Sequence, residues 1–282
     1  MKISIITATF NSAGTVRDTL ESVLKQSYRE FEYIVVDGAS KDETVGIIRE
    51  YEPRFEGRMR WVSERDCGIY DAMNKGIAMA TGDVVGILNS DDFFASAGIL
   101  QAVADKFAEF PDLDAVYGDV QYVSWSDTSA LGRYYSSRVF RRPLMRLGFM
   151  PAHPSFYCRK STYERFKLDG TVIPGFRGDP SRAYFDTSYR IAADFENLLR
   201  MIFVGRIRTC YIEREFVRMR QGGASSSGAA SHRQINRDHQ RAFKQNGVYS
   251  NLALESLRYV YKLGEVVAAK VRVRTARDGK NI

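Results

Sequence analysis

Four short apolar runs, Ile3–Ala8, Glu32–Val36, Arg60–Val62 and Val84–Leu88, open this chain, and their spacing limits the folds open to it. Each is β-branched or aromatic and has the length of a strand. Between them, Gly14–Gln26, Asp42–Tyr51 and Gly68–Ala80 show helical spacing, as Val16, Leu20, Val23 and Leu24 do in the first. Ser40 with Glu43 predicts a capping box for the second helix. Such alternation predicts an α/β fold with a mostly parallel sheet covered by helices on both faces. Later in the chain, Val116–Val123 reads as a strand, and Pro151–Cys158 as a strand entered through two prolines. Residues 124–150 are rich in aromatics and Arg without a clear period. Ala192–Phe203 has helical spacing through Phe195, Leu198, Leu199 and Ile202. Gln221–Ala230 is a Gly/Ser-rich loop, and 231–246 and 252–272 read as helices.

Ligands of such sheets bind at the carboxyl ends of the strands. Asn11, Asp37, Asp66 and the pair Asp91–Asp92 all fall at or just after strand ends, which predicts one shared site. The run Asn89-Ser90-Asp91-Asp92 follows the apolar strand Val84–Leu88 directly. Two adjacent carboxylates there are costly unless something positive binds them. Hard divalent cations, Mn²⁺ or Mg²⁺, take carboxylate and water oxygens and commonly bridge to substrate phosphates. The same pair also suits an Asp-rich turn that caps a helix after Ala95. The first strand is followed by no G-x-G-x-x-G, which argues against a dinucleotide oxidoreductase.

The neighbouring blocks are Ile3-Ser4-Ile5-Ile6-Thr7-Ala8-Thr9-Phe10-Asn11, Ile34-Val35-Val36-Asp37-Gly38-Ala39-Ser40 and Asp66-Cys67-Gly68-Ile69-Tyr70-Asp71-Ala72-Met73-Asn74-Lys75-Gly76. With the Asp91–Asp92 run they resemble, in order and spacing, glycosyltransferase family 2, the inverting enzymes of GT-A fold. The resemblance is dense over residues 1–95, thinner over 150–225 and weak beyond. It implies a Rossmann-like central sheet flanked by helices, with a C-terminal helical extension. The expected divisions are 1–120 for the donor, 121–225 for the acceptor and 226–282 for the extension. It also implies transfer of a single sugar from a nucleotide-diphosphate donor to a hydroxyl of a saccharide or lipid-linked acceptor, in surface polysaccharide or glycan assembly.

By the same resemblance, Asp37 meets the nucleobase, Thr7, Thr9 and Asn11 line the base or ribose pocket, and Asp66, Asn74 and Lys75 approach the donor. Asp92 becomes the direct metal ligand, and Asp91 a contact to ribose or metal-bound water. Asn89 stands where the family's D-x-D motif has its first acid. In Arg190–Arg200, Asp194 matches the general base, with Glu196 as runner-up and Asp186 and Asp179 behind it. Asp194 suits a helix N-terminus equally in kind. His153 lies on an acceptor-side strand, or is a buried structural imidazole. His232 and His239 are candidates for a late metal ligand. Arg218, Arg220, Gly222 and Gly223 suggest a segment that folds over the diphosphate. Cys67 reads as a small packing residue. A sugar-nucleotide nucleotidyltransferase would carry a basic Gly-rich loop after the first strand, and Thr9–Gly14 has no basic residue. A non-catalytic binding protein is the remaining alternative.

Charge is divided unevenly. Residues 1–150 carry 17 Lys/Arg against 22 Asp/Glu, and 151–282 carry 24 against 12. An acidic half beside a basic half suits a phosphate-bearing substrate or an anionic membrane surface. No helix-turn-helix, zinc-finger or RNA-binding motif supports nucleic acid. No apolar run reaches the roughly 20 residues of a membrane span. The three scattered cysteines fit a reducing, cytoplasmic setting, with peripheral attachment to the membrane's inner face as the expectation. Leu257, Val260, Tyr261, Gly264, Val267, Ala268 and Val271 form an apolar stripe amid basic residues. That stripe suits an anionic bilayer or a helix packed on the body.

Overall fold

A computed structural model of the chain describes residues 1–168, 184–222 and 229–258. Among them, nine strands form one sheet: β1 (Ile3–Thr9), β2 (Phe31–Asp37), β3 (Met59–Ser63), β4 (Val84–Ile87), β5 (Phe93–Phe94), β6 (Ala115–Val123), β7 (Leu131–Tyr135), β8 (Tyr157–Arg159) and β9 (Thr209–Arg220). The order is β3-β2-β1-β4-β8-β6-β9-β5, with β7 on the side of β6. The first four are mutually parallel. β8 enters antiparallel to both β4 and β6, while β9 runs parallel to β6.

Helices α1 (Val16–Leu24), α2 (Thr44–Tyr51), α3 (Ile69–Met79), α4 (Ile99–Glu109), α5 (Lys160–Arg165), α6 (Ala193–Leu198) and α7 (Ala229–Gln245) complete the body. The central strands are buried on both faces, so alternate residues feed two cores. Ile3 and Ile5 of β1 pack with Leu20, Ile48 and Val103 from α1, α2 and α4. Ile6 and Ala8 pack on the other face with Met73, Ile77, Phe195 and Phe243 from α3, α6 and α7. No helix among the described residues is long and apolar enough to cross a membrane.

Several local expectations change. The capping box does not form: Ser40 turns its hydroxyl to Asp37, and α2 begins at Thr44 without a side-chain cap. Pro151–Cys158 is a 3-10 turn at His153–Ser155 before a three-residue strand, because the prolines withhold N–H donors from a ladder. The Ala192–Phe203 helix is α6 followed by a π-helical turn over Leu199–Val204. β9, α5 and β7 were not expected. The charge-rich β9 masks its alternation, with Phe216 and Val217 as its only fully apolar buried pair. The 252–272 helix is described only over 252–258, so most of the apolar stripe lies outside the described residues.

At the amino ends of the strands, buried Glu32 gathers donors from three segments. Its carboxylate accepts from the Ser4 hydroxyl at 2.6 Å, the Thr81 N–H at 2.6 Å and Gly82 N–H at 3.2 Å. It also pairs with Lys2 at 3.1 Å and Arg60 at 2.9 Å. Burial alone would raise this carboxyl. The bonds from Ser4, Thr81 and Lys2 outweigh burial and bring it down to about 2. A depressed folded value stabilises the protein above the unfolded value of 4.5 and loses that effect as pH falls toward 2. Glu32→Ala is expected to cost roughly 2–3 kcal/mol at pH 7. Urea midpoints of wild type and variant should converge as pH falls through this window. A constant gap would contradict the assignment.

Candidate active site

Asp37 ends β2 fully buried. Its Oδ1 accepts from the Thr9 hydroxyl at 2.9 Å and the Ser40 hydroxyl at 2.5 Å. Its Oδ2 accepts from the Ser63 hydroxyl at 2.7 Å and the Ser40 N–H at 2.9 Å. A carboxylate has about four acceptor positions, and all are used. The parallel register explains this, since Thr9 and Ser63 both stand level with Asp37. In this arrangement its acceptor positions are filled by the protein's own donors. Thr9 turns inward with it. Thr7 is buried too, donating to the Leu88 carbonyl at 2.7 Å and accepting from Tyr33 at 3.0 Å. Both threonine hydroxyls are thus bonded within the protein.

The knot extends outward. Ser40 Oγ accepts from the Asn11 N–H at 2.8 Å, and Asn11 Oδ1 accepts from the Lys41 N–H at 2.9 Å. Asn11 and Ala39 hold positive φ angles of 49° and 60°. Asn tolerates that region, whereas Ala does so only when its surroundings impose it. Exposed Asn11 stays at the rim, and the Ser12 hydroxyl meets the Ser90 hydroxyl at 2.8 Å, next to the acid pair.

That acid turn is short of donors. Asp92 is 2% exposed, and Asn89 Nδ2 reaches its Oδ2 at 3.2 Å. Burial, and then the charge of Asp91, push the Asp92 carboxyl well above its usual range. Burial raises Asp91 as well. Asn89 Oδ1 is buried with no hydrogen-bond partner among the described residues. Two carboxylates resisting ionisation beside an orphaned amide oxygen are the donor set a hard cation requires. The residues fit that group. No cluster of three or more His, Cys, Asp or Glu occurs among the described residues, so water and substrate oxygens would have to complete the shell.

Arg220 and Arg218 belong to the last stretch of β9. Buried Arg220 donates to the Asp91 carbonyl at 2.7 Å, pairs with Asp18 and lies 5.3 Å from the Phe93 ring. It clamps the acid turn from behind. Arg218 pairs with Glu215 at 2.9 Å. Gly222 follows in a turn, and Gly223 lies outside the described residues.

Loop 64–68 links the knot to α3. Half-buried Asp66 accepts from the Gly68 N–H at 2.9 Å, and its Oδ2 lies where a Cβ on Gly38 would be, 2.6 Å away. Only glycine at 38 permits that approach. Lys75 binds the Arg65 carbonyl at 3.0 Å and Glu64 at 2.9 Å, holding this loop. Cys67 is exposed, so it is not a packing residue.

The other face of α3 grips the 185–194 segment. Asn74 is buried, and both ends of its amide pair with the Phe185 backbone, at 2.9 and 2.8 Å. It clasps that segment to α3. One turn earlier, the Tyr70 hydroxyl donates to the Ile191 carbonyl and reaches Asp194 Oδ1 at 3.5 Å. Half-buried Asp194 also accepts from the Phe195 N–H at 2.8 Å. Its Oδ2 has no partner among the described residues. The Tyr70 and His153 rings both pack on Phe185, at 5.9 and 5.8 Å. Burial holds the His153 imidazole below its ordinary range, against the pull of Asp194.

The runner-up acids are committed elsewhere. Glu196 is fully buried and forked onto Arg200 at 2.9 and 3.0 Å. Asp186 is fully buried and accepts from Ser188 at 2.5 Å. Asp179 lies outside the described residues. His239 stacks on Phe195 at 3.7 Å and bonds Glu255 at 2.7 Å, which makes it structural rather than a metal ligand. Sequence reasoning missed Ser40, Ser63 and Tyr70 as organisers. It also missed Asp119, buried on β6 and bonded to the Tyr134 and Tyr211 hydroxyls at 2.8 and 2.7 Å. The lone acid in the apolar run Ala115–Val123 was the available signal.

The Glycosyl transferase family 2 model matches residues 4–166. A PGL/p-HBAD biosynthesis glycosyltransferase of Mycobacterium tuberculosis is 31% identical over 201 residues, covering 70% of this chain and 68% of its own length. An uncharacterized glycosyltransferase of the same species is 44% identical over 117 residues, 41% of this chain and 44% of the relative. Among solved structures, S. aureus TarS 1-349 with UDP-GlcNAc has a TM-score of 0.61 at 17% identity, covering 88% of this chain and 68% of that one. Mannosyltransferase PcManGT from Pyrobaculum calidifontis, with GDP-Man and Mn²⁺, has a TM-score of 0.56 at 16% identity, covering 97% and 82%. At such identities the two structures establish the likeness of fold.

The clasp makes a prediction that separates it from a ligand contact. Asn74→Ala should lower stability by about 2 kcal/mol, because it strands two backbone groups of Phe185. Nucleotide affinity, read by calorimetry with UDP, should hold. Loss of affinity with unchanged stability would return Asn74 to the donor pocket.

Proposed function

The chain belongs to glycosyltransferase family 2, and on that premise we propose that it moves one sugar, with inversion, from a nucleotide-diphosphate donor to an acceptor hydroxyl. The observation that carries this reading is the buried acid turn, with Asp91 and Asp92 short of donors beside the orphaned Asn89 oxygen. The nucleotide sugars bound by TarS and PcManGT support that class of donor, without choosing its base. The relative named for PGL/p-HBAD biosynthesis supports a biosynthetic setting, with a saccharide or lipid-linked acceptor.

On the donor side, exposed Asn11, half-buried Asp66 and half-buried Asp91 stand at the rim of the strand ends, with Lys75 bracing the loop that carries Asp66. Asp92 and Asp91, with Asn89, would hold Mn²⁺ or Mg²⁺, which as a Lewis acid supplies stabilisation of charge on the leaving diphosphate. Arg220 fixes the acid turn by its carbonyl. On the acceptor side, Asp194 takes the proton of the attacking hydroxyl through its free Oδ2. The new bond forms at the anomeric carbon as the bond to the diphosphate breaks on the opposite face, which inverts the centre. The Phe195 N–H holds Oδ1, Tyr70 anchors the preceding backbone by donating to the Ile191 carbonyl, and His153, held below its ordinary range by burial, packs on Phe185 nearby.

Asp92→Ala should abolish the gain in UDP affinity that Mn²⁺ provides. Calorimetry with and without the metal reads this directly, and an unchanged metal effect would remove the cation from the acid turn. Asp194→Asn preserves shape but accepts no proton. It should leave donor binding intact while slowing transfer, or donor hydrolysis where no acceptor is in hand, by roughly 10²–10⁴-fold. Near-normal turnover in this variant would place the base elsewhere.

A further inference from the structure

The helix at 252–258 is built inside out. Its buried positions are Glu255 and Arg258, with Glu255 bonded to His239 at 2.7 Å and Arg258 to Asn236 at 2.6 Å. Its exposed positions are Leu252, Ala253, Ser256 and Leu257. Leu252 is 58% and Leu257 49% exposed, and Tyr249 just before them is 68% exposed. A helix packed only for a watery surface would present the opposite face.

The adjoining surface is cationic. Residues Arg142–Leu147 form a 3-10 turn that abuts this helix. Arg146 Nε donates to the Tyr249 carbonyl at 3.1 Å, and the Ser250 hydroxyl donates to the Arg146 carbonyl at 2.6 Å. Gly148 lies against Arg258 and Glu255, where a Cβ would fall 2.6 Å from the guanidinium. Arg141, Arg142 and Arg146 are all exposed on this turn. The chain continuing past Arg258 carries six Lys/Arg against Glu265 and Asp278.

We propose that Tyr249, Leu252 and Leu257, flanked by Arg141, Arg142 and Arg146, form a docking face for an anionic lipid bilayer. The leucines enter the headgroup boundary, the tyrosine sits at its level, and the arginines meet lipid phosphates. Charge complementarity selects the bilayer, because an apolar face joined through Arg146 to a turn with exposed cations of like sign repels a second copy of itself. The face lies outside the transfer site and depends on none of its residues, so it stands or falls separately from the proposed reaction.

The test is co-sedimentation of the full chain with vesicles of phosphatidylcholine alone, or with about 30% phosphatidylglycerol. Wild type should bind the anionic vesicles and be released by added salt. Leu252→Glu with Leu257→Glu should cut binding by about tenfold or more, and Arg142→Glu by roughly fivefold or more. UDP affinity should hold in each, as the control for folding. No binding to anionic vesicles, or undiminished binding by the leucine variant, overturns the proposal. So does a wild-type dimer in light scattering that the leucine variant dissolves, which assigns the face to a second copy. A fall of several degrees in melting temperature for that variant, with lipid binding intact, assigns it to the chain's own 259–282.

Discussion

A carboxylate removed from water must find other donors, and Asp37 finds four of them on two neighbouring strand ends and a loop. The carboxyl ends of β1, β2 and β3 are organised around this need. Because β1, β2 and β3 run parallel and in register, Thr9 and Ser63 come level with Asp37 without any loop having to reach. Ser40 closes the set, and in doing so holds Ala39 and Asn11 in left-handed conformations. The same network ends at Ser90, beside the acids. Asp37 thus fixes the frame of the strand ends around the acid turn.

Helix α3 supplies the second coupling. One side of it braces loop 64–68 through Lys75, and the other holds the 185–194 segment through Asn74 and Tyr70. Asn74 and Tyr70 lie one helical turn apart, so they act on the same stretch of backbone. The backbone that leads into Asp194 is therefore positioned by side chains of α3. That is why a motif concentrated in one block, Asp66–Gly76, governs both halves. Polar residues in that block need not be ligands for the block to be constrained.

The architecture of residues 1–123 was readable because short apolar runs alternate with helical periods, and β1, β2 and β4 are buried on both faces. The acid pair was readable because two adjacent charges after a buried strand are physically expensive. What escaped was of another kind. β9 is rich in Arg and Glu, since much of its length is only partly covered, so its hydrophobic alternation is faint. The inward turn of Thr7, Thr9, Asp37 and Asn74 could not be read either. A polar residue at a strand end looks the same whether it binds a ligand or its neighbour. Glu196 fell to the same ambiguity: its partner Arg200, four residues on, was in plain view, but only the fold shows both fully buried.

The account's central claim is that the turn after β4 and the acid at the start of α6 face one another across a single bound donor. Crystals grown with a non-hydrolysable UDP- or GDP-sugar and Mn²⁺ test it most directly. The account predicts an anomalous manganese peak in coordination contact with Asp92, bridged to the diphosphate. It also predicts that the Asp194 carboxylate stands on the face of the anomeric carbon opposite the leaving oxygen. A nucleotide bound away from the strand ends, or a cation that leaves Asp92 protonated and unligated, would contradict it.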